Sequence, residues 1–218
     1  MRIAARYNGP PGSGNGGVSC GLLAQHVDAP VVEVTLRRPP PLETDLRVVD
    51  GELYDGELLV AAAVAGSVDV EAPGPVGLEQ AQRAAAHYAG WAAHPFPTCF
   101  TCGTDREPPD GLGLRPGPVD DGLVAAVWTP ESDARFLVWA ALDCPGGWAV
   151  PDLPGRPLVL GRMALEVLAP PTAGEPHVVV GWGLGTDGRK TFCATALYDA
   201  AGALLARAQQ TWFALPAG

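Results

Sequence analysis

The order of secondary-structure elements predicted from this chain of 218 residues is the same in its two halves. The first half has a helical run, in which apolar residues recur at spacings of three and four, and then strand-like runs at 31–36, 46–49 and 58–70. The second half has a helix candidate at 136–150 and then strand-like runs at 158–168, 177–183, 191–198 and 204–213. Proline turns at 39–41 and 170–171 end the first strand after each helix. We interpret this repetition as an internal duplication.

The connection between the halves is rich in proline and glycine and contains one Ala-rich helical run at 78–91. We therefore predict a first half at 1–72, a connector at 73–118 and a second half at 119–218. Hydrophobic residues make up 47% of the chain, which is enough for a substantial core.

Charge and composition exclude several classes of partner. The formal net charge of −10 argues against nucleic acid, because phosphate binding needs a basic surface. No apolar run is long enough to span a bilayer, and the first eight residues lack the apolar core of a signal peptide. Five cysteines, an odd number, do not make a disulfide framework and fit a reducing compartment. We therefore expect a soluble, cytoplasmic protein that binds no membrane.

One carboxylate, that of Asp143, lies in an apolar segment of small residues and tryptophans at 139–149. Burying a charge there costs several kcal/mol unless a partner or a function offsets it. Two explanations are open. Asp143 is either catalytic or the N-cap of a helix with Pro145 in its first turn. If the helix begins earlier, Pro145 kinks it.

The first half contains a matching small-residue segment, Gly14-Asn15-Gly16-Gly17, but has Ala24 where an acid is expected. A Gly-Gly helix start with an aspartate on a helix resembles the signature of the PaaI-like acyl-CoA thioesterases. That family has a histidine where this chain has Asn15, and its aspartate follows about nine positions later. Here the Gly-Gly is in one half and the acid, Asp143, is in the other.

The resemblance implies a hot-dog fold, in which an antiparallel sheet wraps around a long helix. Because the pattern occurs twice, it implies an α+β double hot-dog chain, with two antiparallel sheets each wrapped around a central helix. In that family the site lies between two units, so the resemblance joins Asn15, Gly16 and Gly17 with Asp143 in one thioesterase site. The mirror site at Ala24 would be inactive.

The residues of this site suit thioester hydrolysis. Free N–H groups at a helix start bind a developing oxyanion, and Gly16 and Gly17 would supply them. Asn15 would add a donor or cap the helix, which leaves two explanations open. Asp143 would act as a general base on water or attack the carbonyl directly, and burial should raise its pKa.

The substrate expected from the resemblance is an acyl-CoA or an acyl carrier, with no cofactor. We predict an acyl tunnel lined by Leu22, Leu23 and Trp139, and an anionic carrier bound by Arg135. Further arginines that could serve as anchors stand at 37, 38, 106, 115 and 162. Exposed strand edges are compatible with a homodimer.

Three polar residues of the second half are further candidates. Gln209 and Gln210 lie in an apolar strand, and the thioesterase II type of double hot-dog protein uses a strand glutamine. Alternation points only one of them inward, and a solvated sheet edge explains the pair more simply. Thr186, in a Gly-rich turn, is a weaker candidate.

Cys99 and Cys102 have metal-ligand spacing, and His87 and His94 lie upstream. A second Cys pair is absent from the sequence, so we predict no metal and keep a structural zinc site as the alternative. Two other functions are weighed against the thioesterase. A non-catalytic acyl-binding protein fits a motif without its histidine, and a hydratase is disfavoured because it pairs an acid with a histidine.

Overall fold

The computed structural model describes residues 1–106, 108, 110–150 and 156–215. The first half consists of one helix and four strands, which pair in the order β2-β3-β4-β1. Their bounds are α1 Gly16–Ala24, β1 Val31–Leu36, β2 Arg47–Val49, β3 Glu52–Asp55 and β4 Leu58–Ala65.

The second half repeats this arrangement and adds two strands before its helix. Its bounds are β5 Gly117–Pro118, β6 Val124–Trp128, α3 Arg135–Trp148, β7 Leu158–Val167, β8 His177–Asp187, β9 Lys190–Tyr198 and β10 Leu204–Ala214. These strands pair in the order β7-β10-β9-β8-β6-β5. The predicted order of helix, strand, proline turn and three further strands is therefore present twice. Strands β3, β5 and β6 were missed by the sequence analysis.

The sheets of the two halves are joined edge to edge. β1 pairs antiparallel with β7, with Val31 opposite Glu166 and Thr35 opposite Arg162. The two predicted sheets thus form one antiparallel sheet of ten strands. Each half of this sheet curves around its own helix.

A turn at Asp50 and Gly51 connects β2 to β3. Both residues have positive φ, 49° and 79°, as a two-residue hairpin turn requires to match the strand twist. A Cβ on Gly51 would also meet Ala63 O at 2.5 Å, so this position needs glycine for space as well as for conformation.

Helix α3 lies close to the predicted range of 136–150 and excludes a start near Asp143. It begins at Arg135, so Asp143 lies inside the helix and is not its N-cap, and Pro145 is also internal. The carbonyls just before Pro145 take side-chain donors. Thr195 Oγ1 and Gln210 Nε2 both donate to Leu142 O. These bonds help α3 to continue through a residue that has no N–H to donate.

The two central helices meet at glycines. A Cβ on Gly17 would lie 2.5 Å from Trp139 O, and a Cβ on Gly21 would lie 2.8 Å from Phe136 Cα. Because these glycines lie four residues apart on one face of α1, the backbones of α1 and α3 come into direct contact. The start of one helix is thereby brought against the middle of the other.

The connector carries a shorter helix than predicted. α2 spans Leu78–Ala84, and two 3-10 turns follow at Ala85–His87 and Ala89–Trp91. β5 falls inside the predicted connector but pairs with β6. The domain boundaries at 72 and 118 stay a prediction. Among the described residues, no helix is both long and apolar enough to cross a membrane.

Candidate active site

Asn15 caps the N-terminus of α1. Its Oδ1 accepts a hydrogen bond of 2.9 Å from Val18 N–H, and its backbone carbonyl accepts one of 3.0 Å from Ser19 N–H. Asn15 is buried, so the amide is held in one orientation. This is the geometry of an N-cap that satisfies the orphan donors of the first turn.

Asp143 of α3 contacts this helix start from the other half of the chain. Its Oδ2 accepts two hydrogen bonds, one of 2.9 Å from Gly17 N–H and one of 3.0 Å from Asn15 Nδ2. The Asn15 amide therefore holds α1 with its oxygen and Asp143 with its nitrogen. The first turn of a helix carries partial positive charge, so the carboxylate is placed where an anion is stabilised.

The other oxygen of this carboxylate, Asp143 Oδ1, is buried and has no hydrogen-bond partner among the described residues. Burial raises the pKa of Asp143 to about 7, although the Gly17 N–H and the Asn15 amide act to lower it. A group with this pKa exchanges protons near neutral pH, as a general base must.

A cavity of about 700 Å³ adjoins the start of α1. Gly16 and Leu160 line it, and a Cβ on Gly16 would lie 2.9 Å from Leu160 Cβ. Gly16 N–H has no acceptor among the described residues, whereas the next three N–H groups of α1 are satisfied. The cavity is therefore bordered by a residue whose N–H has no acceptor in the part of the chain that the structure describes. Asp143 is not part of this wall and is 2% exposed.

Basic side chains line this cavity on both halves of the chain: Arg37, Arg38, Arg162 and Lys190. Arg162 spans the junction of the halves, since its Nε donates 3.1 Å to Thr35 Oγ1 across the β1–β7 pair. Three of these are among the arginines proposed as anchors from the sequence. Positive charge at a cavity mouth favours an anionic ligand.

The predicted substrate-binding residues lie outside this cavity. Arg135 is exposed at the start of α3, and Leu23 and Trp139 are in the hydrophobic core. Leu22 packs against that core from a half-buried position. None of the four lines the 700 Å³ cavity. In the described part of the chain, α1 and α3 are in direct contact at the place where we expected the tunnel.

The two strand glutamines have different environments, as alternation predicts. Gln210 is buried, and its Nε2 donates to the carbonyls of Leu142 and, at 3.1 Å, Asp143. β10 lies between β7 and β9, so the interpretation of a solvated edge is wrong. Gln209 is half-buried on the other face. Thr186 is exposed on β8 and does not line the 700 Å³ cavity.

Cys99 and Cys102 lie in the connector directly behind the capped helix start. The Asn15 amide nitrogen lies 3.7 Å from Cys99 Sγ. A third thiol that the sequence analysis did not connect with them, that of Cys144, lies 3.8 Å from Cys99 Sγ. The signal in the sequence was the position of Cys144 immediately after Asp143, on the same buried helix.

No protein-family model and no curated protein matches this sequence. Solved structures match the whole chain. The tesB protein of Mycobacterium avium subs paratuberculosis has a TM-score of 0.62 at 12% identity, covering 99% of this chain and 91% of that one. A putative thioesterase II from Thermobifida fusca has a TM-score of 0.60 at 16% identity, covering 99% and 91%.

A third match is a protein of unknown function with a hot-dog fold from Alicyclobacillus acidocaldarius. Its TM-score is 0.58 at 12% identity, and the match covers 100% of this chain and 92% of that one. At these identities the likeness establishes the fold. One helix wrapped by an antiparallel sheet occurs twice along the chain, and both copies share a single continuous sheet. The chain has the double hot-dog fold that its sequence predicted.

Proposed function

We propose that the chain is a thioesterase that hydrolyses acyl-CoA or acyl-carrier thioesters at one site between its halves. One observation carries this proposal. The Asp143 carboxylate of the second half is held by Gly17 N–H of the first half, and the neighbouring Gly16 lines the cavity. Asp143 thus contacts Gly17 at the start of α1, and the preceding residue, Gly16, lines a cavity that also has basic side chains.

In the proposed reaction, the thioester carbonyl oxygen accepts a hydrogen bond from Gly16 N–H at the cavity wall. The negative charge that develops on this oxygen is stabilised by the N-terminus of α1. Asp143 lies behind the cavity wall, so this step requires the start of α1 to open and admit water to the carboxylate. Water then attacks the carbonyl carbon while Asp143 takes its proton on Oδ1, the oxygen without a partner among the described residues. The C–S bond then breaks, and protonated Asp143 gives its proton to the leaving thiolate, which regenerates the carboxylate.

The cavity rim supports an anionic carrier. Arg37, Arg38, Arg162 and Lys190 would face the phosphates of CoA or of a phosphopantetheine arm while the acyl group enters the cavity. We further propose a cytoplasmic protein, because all five cysteines are free, as in a reducing compartment.

A second function is favoured by the burial of the acid. Asp143 is 2% exposed, and its Oδ2 already occupies the Gly17 N–H. A carboxylate enclosed in this way would serve to hold α1 against α3, and the cavity would then bind an acyl thioester without hydrolysing it.

Hydrolysis of a panel of acyl-CoA esters by the wild type and by Asp143→Asn distinguishes the two functions. We expect the substitution to lower kcat by about 100-fold or more, the usual effect of losing a general base. Asp69→Asn, an exposed acid outside the cavity wall, is the matched control and should be unaffected. Saturable binding with no turnover by the wild type would establish the binding protein, and equal turnover by Asp143→Asn would overturn the mechanism.

A further inference from the structure

Three buried cysteines from two distant parts of the chain come together beside the candidate active site. Cys99 and Cys102 lie in the connector, and Cys144 lies on α3. Their Sγ atoms all lie within 4.8 Å of one another, and Cys99 Sγ is 3.8 Å from Cys144 Sγ. We call these three residues the thiol cluster.

The spacing of these atoms is that of a metal site. Zn–S bonds of about 2.3 Å and Zn–N bonds of about 2.0 Å place neighbouring ligand atoms of a tetrahedron about 3.5–3.8 Å apart. The Cys99–Cys144 distance matches this value. His94 Nε2 lies 3.4 Å from Cys102 Sγ but not within 4.8 Å of all three sulfur atoms, so the ring would have to move to complete the tetrahedron. A cavity of about 40 Å³ is lined by the thiol cluster and His94.

The connector is folded tightly around its two cysteines. Gly103 N–H donates 2.9 Å to Cys99 O, and a Cβ on Gly103 would meet Pro97 O at 2.4 Å. Only glycine fits where the chain turns this closely. This Cys-x2-Cys-Gly turn points both thiols to one side, as a ligand pair for a single ion requires.

Hydrogen-bond donors also surround the sulfur atoms. Trp148 Nε1 donates 3.4 Å to Cys102 Sγ. Asn15 Nδ2 lies 3.7 Å from Cys99 Sγ. Donors aimed at sulfur stabilise a thiolate, which is the form that binds metal.

We propose that the thiol cluster binds one Zn²⁺ ion through three thiolates, with His94 Nε2 as the fourth ligand. Three thiolates and one imidazole are a common ligand set of closed, structural zinc sites. The ion would fasten the connector to α3 next to Asp143, and it has no part in the proposed hydrolysis. His94 is the weaker ligand. Phe96 N–H donates a hydrogen bond of 2.9 Å to its Nδ1, whereas zinc bound at Nε2 would require the ring proton to be on Nδ1.

The test uses the full-length reduced protein, stripped with a chelator and titrated with Zn²⁺ while native mass spectrometry reports stoichiometry. We expect one ion per chain. Cys144→Ser should weaken binding by roughly 100-fold or more and His94→Ala by roughly 10-fold. Cys193→Ala, a buried cysteine outside the cluster, should bind as the wild type does. Less than one equivalent in the wild type, or unchanged binding by Cys144→Ser, would overturn the proposal.

A measurement with Co²⁺ in place of Zn²⁺ tests the ligand set on the wild type alone. It therefore does not depend on whether a variant with serine in the thiol cluster folds. Co²⁺ bound to the wild type should give the absorption of a tetrahedral ion, with charge-transfer intensity from three thiolates. An octahedral spectrum, or intensity from fewer thiolates, would overturn the ligand assignment. A disulfide within the thiol cluster of freshly purified protein, detected by its mass under non-reducing conditions, would also overturn the ligand assignment.

Discussion

Asp143 Oδ2 accepts a hydrogen bond of 2.9 Å from Gly17 N–H, so a carboxylate of one half is bound to the helix start of the other. This bond of ordinary length can form because Gly17 has no side chain. A Cβ there would lie 2.6 Å from Asp143 Cβ and 2.8 Å from Ala140 Cα. Small size at one position thus determines both the contact of two helices and the place of the acid.

Gly17→Ala should therefore separate α1 from α3. We expect a loss of about 1–3 kcal/mol in the free energy of unfolding, as for other overpacked contacts, together with a loss of hydrolysis. Urea unfolding and acyl-CoA turnover measure the two effects. Gly74→Ala is the control, because a Cβ at that position meets nothing within 4 Å. Equal stability of the two variants would contradict the close contact.

The buried acid should make stability depend on pH. Burial raises the pKa of Asp143 from its ordinary 3.8 to about 7, and the titratable groups nearest to it are the thiols of Cys20 and Cys99. Between these two pKa values the folded state binds the proton more tightly than the unfolded state. The contribution of Asp143 to stability is therefore fully present below about pH 4, is lost as pH rises toward 7, and does not change further above that.

Asp143→Asn removes this dependence, since an amide does not titrate in this range. Unfolding by urea at pH 5 and pH 8, on chelator-treated protein, should show the wild type losing several kcal/mol relative to the variant. A difference that stays the same at both pH values would mean that Asp143 is ionised throughout.

The basic side chains that line the cavity should strengthen binding of the anionic carrier and should not affect binding of the acyl group. Replacing Arg37 and Arg38 with Glu should raise KM for an acyl-CoA by several-fold at low salt, because each exposed charge contributes about 0.3–1 kcal/mol. KM for a thioester that lacks phosphates should not change. Arg83→Glu, an exposed arginine of α2 outside the cavity, is the matched control. An equal rise in KM for both substrates would indicate a change in shape and not in charge.

Gln210 should be important for stability, whereas Gln209 should not. Trp212 Nε1 donates 2.9 Å to Gln210 Oε1, and Gln210 also donates to Asp143 O. Gln210→Leu leaves these buried groups without partners, which should cost about 1–3 kcal/mol. Gln209→Leu, on the half-buried face, should change stability by less than about 0.5 kcal/mol. Thermal unfolding of both variants checks this, and a similar effect of both would contradict the assignment of faces.

The repeated order of elements was predictable because it rests on local signals. Apolar periodicity, proline turns and the Asp50-Gly51 dipeptide each act within a few residues. Strand β6 was missed because its residues do not alternate between apolar and polar, being buried at nearly every position, although Asp121-Gly122 precedes it and Pro130 follows it. The joining of the two sheets through β1 and β7 is a contact between distant parts of the chain, which periodicity does not encode.

The site was only partly predictable for the same reason. The pairing of Asn15 and Gly17 with Asp143 followed from a known pattern divided between two halves. The sequence did not decide between the two possible starts of α3. Asp143 before Cys144-Pro145 is also a good helix start, and Ala134 offers no capping side chain. The cavity lining did not follow either, since it depends on how closely the glycines let α1 approach α3.

The pairing of β1 with β7 has a consequence for how the two halves can differ. Two separate copies of a hot-dog unit would find each other only at sufficient concentration, and any change in their gene would appear in both copies. Within one polypeptide the partner is always present, so assembly does not depend on dilution. Each half can then change independently, and this chain has Gly-Gly in one half and the aspartate in the other. Covalent linkage is what makes so unequal a pair workable.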